Sequence, residues 1–261
     1  MEPFFFGPAE RQLYGCYHPA TGTARGSAVL VCQPLGHEYI QFHRALQQLA
    51  TLLAGAGFPV LRFDFRGCGD SACNLEDGGP DAWQEDIAGA IEELKRRTGR
   101  SRIVLAGLRL GGTLASIVAS NRNDVEEVVL WDPVLSGRGY LDELTRSHEK
   151  MLRYAHVQPR PQEMRHEILG VELPDGLIAA LGSLHMLGAV GLHAKKVLIV
   201  QSNPSVDQAV LSEHLMAQRA IVTLREFRNP HLWQWVEDFG KVHVPRKIIL
   251  TVVGWLTEQC S

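Results

Sequence analysis

No stretch of this chain approaches the roughly 18 consecutive apolar residues of a membrane-spanning helix. Its opening, Met-Glu-Pro with only Phe4, Phe5 and Phe6 as an apolar run, lacks the basic and apolar regions of a secretory signal. Basic residues show no surplus: 26 Lys and Arg against 29 Asp and Glu give a formal charge of -3, so nucleic acid is not an expected partner. Cysteine is sparse and irregular. Cys16, Cys32, Cys68, Cys73 and Cys260 are odd in number and form no CxxC pair, which argues against a disulfide framework and a zinc site and for a reducing compartment. The expected setting is cytoplasmic. Internal repeats, low-complexity tracts and linker-like stretches are also missing, and the sequence points to one domain over residues 1–261. It sets no oligomeric state.

What is present is ordinary globular material, 45% hydrophobic and 21% charged, enough for a large core and too apolar for disorder. Short apolar runs alternate with helical periods, the pattern of βαβ units and a mostly parallel sheet. Residues 3–6 and 11–18 read as an antiparallel pair, and strands follow at 28–32, 58–65, 102–106, 125–131, 196–201 and 220–227. Helical stripes include Phe42, Leu46, Leu49 and Leu53, then Trp83, Ile87, Ile91 and Leu94, with further helices through Ala119, over 206–218 and over 244–258. From Gly137 to about Gly191 only helical pieces are expected, broken by Pro159, Pro161, Gly170, Pro174 and Gly182. This segment is the candidate cap. Its Leu177, Ile178, Leu181, Leu184, Met186 and Leu187 could line an acyl pocket but read more readily as plain core.

A strand running into Gly107-Leu108-Arg109-Leu110-Gly111-Gly112 and then a helix resembles the nucleophile elbow of α/β-hydrolases. Phe63-Asp64-Phe65-Arg66-Gly67-Cys68-Gly69-Asp70-Ser71 is similar to that family's FDxRGxGxS segment, and Gln33-Pro34-Leu35-Gly36 falls where its oxyanion loop lies. More narrowly, Gly107-Leu108-Arg109-Leu110-Gly111 with Leu130-Trp131-Asp132-Pro133 resembles the exosortase A-associated "hydrolase 2" group, in which Gly-Leu-Arg replaces GxSxG. The resemblance implies an α/β-hydrolase fold with helices flanking a mostly parallel sheet. It also hints at a role in envelope or exopolysaccharide synthesis.

The central residue of the elbow is then Arg109, and a guanidinium has no lone pair with which to attack a carbonyl. A cation at a helix N-terminus also opposes the macrodipole unless an anion lies between them. Arg109 is therefore expected either to grip an anionic substrate group or to pair internally with Asp132 or Asp207. His231, in Asn229-Pro230-His231-Leu232-Trp233, matches the family's base, with His243 as the alternative. Asp207 would orient it, with Asp132 as the other candidate. Cys68 is an alternative nucleophile, but water activated by His231, with the Leu35 and Leu110 amides holding carbonyl charge, is more economical. Glycines 107, 111 and 112 depart from a dinucleotide fingerprint. His37-Glu38 and His166-Glu167 begin like HExxH but meet Gln41 and Gly170 where the second His belongs. No metal or cofactor is expected. The sequence thus points to a hydrolase or acyl-transfer enzyme on an ester or thioester, taking a small acyl or anionic substrate without a serine intermediate. The other reading is a catalytically silent relative that binds a ligand or a protein partner.

Overall fold

Ser27–Cys32 shows how the chain is layered, because all six residues of this strand are buried. Ala28, Leu30 and Cys32 face one apolar cluster, and Val29 and Val31 face another. A strand covered on both sides reads as a continuous apolar run, which is why no polar alternation marks it in the sequence. In this computed structural model the described residues are 1–156, 167–192, 195–202, 206–229, 232–233 and 244–260, with 206–208 described in backbone only.

The strands are β1 (Glu2–Phe6), β2 (Leu13–His18), β3 (Ser27–Cys32), β4 (Val60–Phe63), β5 (Arg102–Leu108), β6 (Val125–Trp131), β7 (Glu167–Ile168), β8 (Val171–Glu172), β9 (Lys196–Gln201) and β10 (Ile221–Glu226). The helices are α1 (Gly36–Gly55), α2 (Pro80–Thr98), α3 (Leu110–Ser120), α4 (Gly137–Tyr154), α5 (Asp175–Gly182), α6 (Met186–Ala189), α7 (Val206–Ala217) and α8 (Arg246–Gln259). Eight strands form one sheet in the order β1-β2-β4-β3-β5-β6-β9-β10. β2 runs antiparallel to both β1 and β4, and the remaining neighbours are parallel.

Helices α1 and α8 cover one face of the sheet with Phe42, Leu46, Leu49, Leu53, Ile248, Val252 and Leu256. On the other face lie Trp83, Ile87 and Ile91 of α2, Leu114 of α3 and Leu211 of α7. Each such side chain, taken from water, contributes roughly 1.5–3 kcal/mol. α2 begins with Pro80 in its first turn, and ends through Lys95, Arg96 and Arg97 at Gly99, whose φ of 67° closes the helix. Among the described residues no helix is long and apolar enough to cross a membrane.

Between β6 and β9 the expectation of helical pieces alone needs correcting, since β7 and β8 form a small antiparallel hairpin. Leu169 and Gly170 make its turn with φ of 53° and 79°. That left-handed pair suits a two-residue hairpin, and two-residue strands are too short to leave a periodic trace. Leu169 is held there by burial and by its amide, which donates to His148 Nδ1 at 3.0 Å. Leu177, Leu181 and Met186 are core residues, with Ile178, Leu184 and Leu187 packed against them.

His18, at the end of β2, is buried, and Arg62 Nε donates to its Nε2 at 3.3 Å. Burial first, then Arg62 and the amino terminus, hold its pKa down at about 4, against an ordinary 6.5. The unfolded chain therefore takes up this proton at a higher pH than the folded one. The stability His18 contributes is complete above about pH 6.5 and is lost as pH falls towards 4. His18→Gln is expected to flatten the fall of the melting midpoint across that window. Parallel curves for the two proteins would remove His18 as its cause.

Candidate active site

The turn from β5 into α3 is built by glycines. A Cβ on Gly107 would lie 2.4 Å from the Gly112 Cα, and one on Gly111 would lie 2.2 Å from the Gln33 carbonyl oxygen. The backbone can bend this tightly only where those side chains are absent. Arg109, between them, adopts φ 51° and ψ -124°, a conformation that costs a residue with a side chain about 1–3 kcal/mol. Its amide donates to the Trp131 carbonyl at 2.9 Å, and its carbonyl accepts from Gly112 N at 3.0 Å. Thr113 ties α3 to the segment after β6: its hydroxyl donates to Val134 O at 2.7 Å and accepts from Val134 N at 2.9 Å.

The Arg109 side chain is buried among partners from two helices. Nε donates to Glu38 Oε1 on α1 at 2.8 Å, and Nη2 donates to Glu143 Oε2 on α4 at 2.6 Å. Tyr140 donates its hydroxyl to the other Glu38 oxygen at 2.8 Å. The guanidinium carbon stands 5.4 Å from the Tyr140 ring and 5.3 Å from that of Trp233. Burial opposes the charge on Arg109, but Glu38 and Glu143 outweigh it and push the pKa further up. For Glu38 burial dominates and raises the pKa, with Arg109 and Tyr140 pulling it back. Arg109 and the Tyr140 hydroxyl are thus the groups that favour the charged form of Glu38.

The sequence offered Asp132 or Asp207 as the internal partner of Arg109; among the described residues its ion pairs are made by Glu38 and Glu143, and the Asp207 side chain lies outside them. Asp132 is engaged elsewhere. Its Oδ1 accepts from Ser202 N at 2.8 Å, and its Oδ2 accepts from the Ser202 hydroxyl and, at 2.7 Å, from Trp233 Nε1. Burial raises its pKa, while those donors and Arg109 lower it. Trp233 also stacks on Phe42 of α1, with ring centroids 4.1 Å apart. His231 and His243 lie outside the described residues. Asp207 is the second residue of α7, its side chain outside the description.

Leu35 caps the N-terminus of α1 and Leu110 is the first residue of α3, so both amides belong to helix starts, where backbone N–H groups lack intrahelical acceptors. The close approach of Gly111 to Gln33 brings the two turns together. Val171 of the β7–β8 hairpin reaches the same place, 3.4 Å from where a Gly36 Cβ would stand. Burial, reinforced by Asp64 and Asp86, pushes the Cys68 thiol up to about 12, which disfavours the thiolate that a nucleophile needs. Its neighbours serve the turn: Ser71 donates to Asp64 O at 2.6 Å, and Asp70 N donates to Asp64 Oδ2 at 3.0 Å.

Sequence reasoning missed Glu38, Tyr140, Glu143 and Trp233 as members of this cluster. Glu38 drew notice for a metal motif it does not complete, and Trp233 as a neighbour of His231. Among the described residues no group of three or more His, Cys, Asp or Glu side chains could hold a metal ion.

The model of the serine aminopeptidase S33 family matches residues 29–227, well over half of the chain. No curated protein matches it in sequence. Among solved structures it is similar to Est1E from Butyrivibrio proteoclasticus with bound ferulic acid, at TM-score 0.70 and 16% identity over 98% of each chain. It is also similar to a proline iminopeptidase from Mycobacterium smegmatis, at TM-score 0.66 and 12% identity over 98% of each chain. An esterase from Pyrococcus furiosus gives TM-score 0.66 at 17% identity, covering 100% of this chain and 91% of that one. At such identities the structures speak for the fold. With the family match and the strand-turn-helix elbow they agree that this chain is an α/β-hydrolase belonging to the serine aminopeptidase S33 family.

Proposed function

We propose that this protein hydrolyses, or transfers the acyl group of, an ester or thioester without a covalent serine intermediate, and that Arg109 binds an anionic part of the substrate. The observation carrying this reading is the strained backbone of Arg109, φ 51° and ψ -124°. Strain of about 1–3 kcal/mol persists where the surroundings enforce it, and here it aims a side chain that binds and does not attack. In the proposed reaction His231, oriented by Asp207, draws a proton from water, and the oxygen attacks the acyl carbonyl. The Leu35 and Leu110 amides hold the developing oxyanion, and the leaving alkoxide or thiolate takes up the proton. Residues 137–191 act as the cap that shapes the acyl site. The Gly-Leu-Arg turn favours membership of the exosortase A-associated group.

The pairing of Arg109 with Glu38 and Glu143, and of Asp132 with Ser202 and Trp233, supports a second reading: a catalytically silent relative that binds an anionic ligand or a protein partner and performs no chemistry. Hydrolysis of short and medium acyl esters and thioesters by wild type, His231→Ala and Arg109→Ala separates the two. Turnover in the wild type that disappears in His231→Ala is the expected result. Equal background rates for all three proteins would leave the binding reading in place.

A further inference from the structure

The two partners of Arg109 differ in how readily each can leave. Glu38 is only 2% exposed and uses one oxygen for Arg109 and the other for Tyr140. Glu143 is 42% exposed and reaches Arg109 Nη2 from the surface of α4. Detaching Glu38 strands an anion in an apolar interior, whereas detaching Glu143 returns a carboxylate to water.

We infer that Glu143 holds the place of the substrate's own acid group: a ligand with a single terminal carboxylate on its acyl part displaces Glu143 from Arg109 while Glu38 stays. Glu143 thereby competes with the incoming acid, and Glu38, which stays, sets the selectivity for monocarboxylates. The inference rests on the reading of Arg109 as a substrate clamp and names what the clamp takes. Among the described residues Arg109 is ion-paired to two carboxylates and acts at longer range on Asp132, and exchanging Glu143 one for one with a monocarboxylate leaves that charge balance unchanged. A phosphate dianion adds a second negative charge beside buried Glu38 and is disfavoured. The rings of Tyr140 and Trp233 both stand near the guanidinium carbon, at 5.4 and 5.3 Å, so the acid comes to the planar edge that Nη2 presents. The Tyr140–Glu38 bond keeps α4 tied to α1 throughout the exchange.

The test is isothermal titration of the full chain with monomethyl glutarate, dimethyl glutarate and inorganic phosphate, in the wild type and in Glu143→Ala. Position 143 is part-exposed on a helix, so the variant is expected to keep its fold, which its thermal melt checks. Monomethyl glutarate is expected to bind the wild type and to bind Glu143→Ala about five-fold more tightly, the worth of a part-exposed ion pair. Dimethyl glutarate should be indifferent to the substitution, and phosphate weaker than the monoester in both proteins. Equal affinity of both proteins for the monoester overturns the displacement and leaves the clamp standing. Phosphate binding as tightly as the monoester overturns the selectivity. No binding by either folded protein overturns the inference together with the clamp. Tightening in Glu143→Ala without any ester turnover supports the inference and removes only the chemistry from the proposed function.

Discussion

Arg109→Met is expected to destabilise the protein by about 3–5 kcal/mol, the cost of removing one member of a buried ion pair. Methionine fills much of the same space, so the loss is electrostatic: among the described residues Glu38, fully surrounded, keeps the Tyr140 hydroxyl alone. For a chain of this size that corresponds to a fall of roughly 10 °C in the melting midpoint. Glu38→Gln placed on top of Arg109→Met removes the stranded charge and is expected to recover more than half of the loss. Glu143→Ala, which removes the exposed partner, should cost no more than about 1 kcal/mol. Calorimetric melts of the four proteins at pH 7 decide the matter. A midpoint within two degrees of wild type for Arg109→Met, or no recovery in the double variant, would show that Glu38 does not need the cation.

Gly111→Ala is expected to abolish or severely impair folding through contact alone. The added methyl would stand 2.2 Å from the Gln33 carbonyl oxygen and 2.5 Å from that of Cys32, both backbone atoms at the end of a fully buried strand. Neither can swing aside as a side-chain tip can, so the elbow and the Leu35 turn must separate, at a cost of several kcal/mol. The same change at Gly89 is the control. It lies inside α2, where an added Cβ meets nothing within 4 Å, and alanine there should stabilise by about 0.5–1 kcal/mol. Soluble yield and denaturant midpoint measure both. Wild-type stability for Gly111→Ala would mean that the two turns are free to part.

The sequence made the sheet readable because strands buried on both faces announce themselves: the limits read for Val125–Trp131 and Lys196–Gln201 are those observed. β4 is shorter than the 58–65 read from sequence because Pro59 cannot donate to a ladder and Asp64 turns to serve Tyr39 and Asp70. The elbow was legible, since glycines four apart after a strand leave few other geometries. The partners of Arg109 were not. Glu38 and Glu143 lie 71 and 34 residues from it, and nothing local tells a buried carboxylate from a solvated one. Glu143 sits beside Asp142 on an amphipathic helix and reads like any exposed acid. Asp132 looked available because the two groups that claim it, Ser202 and Trp233, come from later in the chain.

The pairing of Arg109 with Glu38 also constrains how this sequence can drift. Position 109 cannot change alone without leaving Glu38 unmatched in the interior, whereas a change at 38 leaves Arg109 paired with Glu143, so loss of the arginine is expected only among relatives that have already lost the glutamate. A lineage acquiring a hydroxyl at position 109 must first neutralise position 38 or pass through a poorly folded intermediate. The order of those two steps, more than the chemistry of either, decides which neighbouring sequences are reachable from this one.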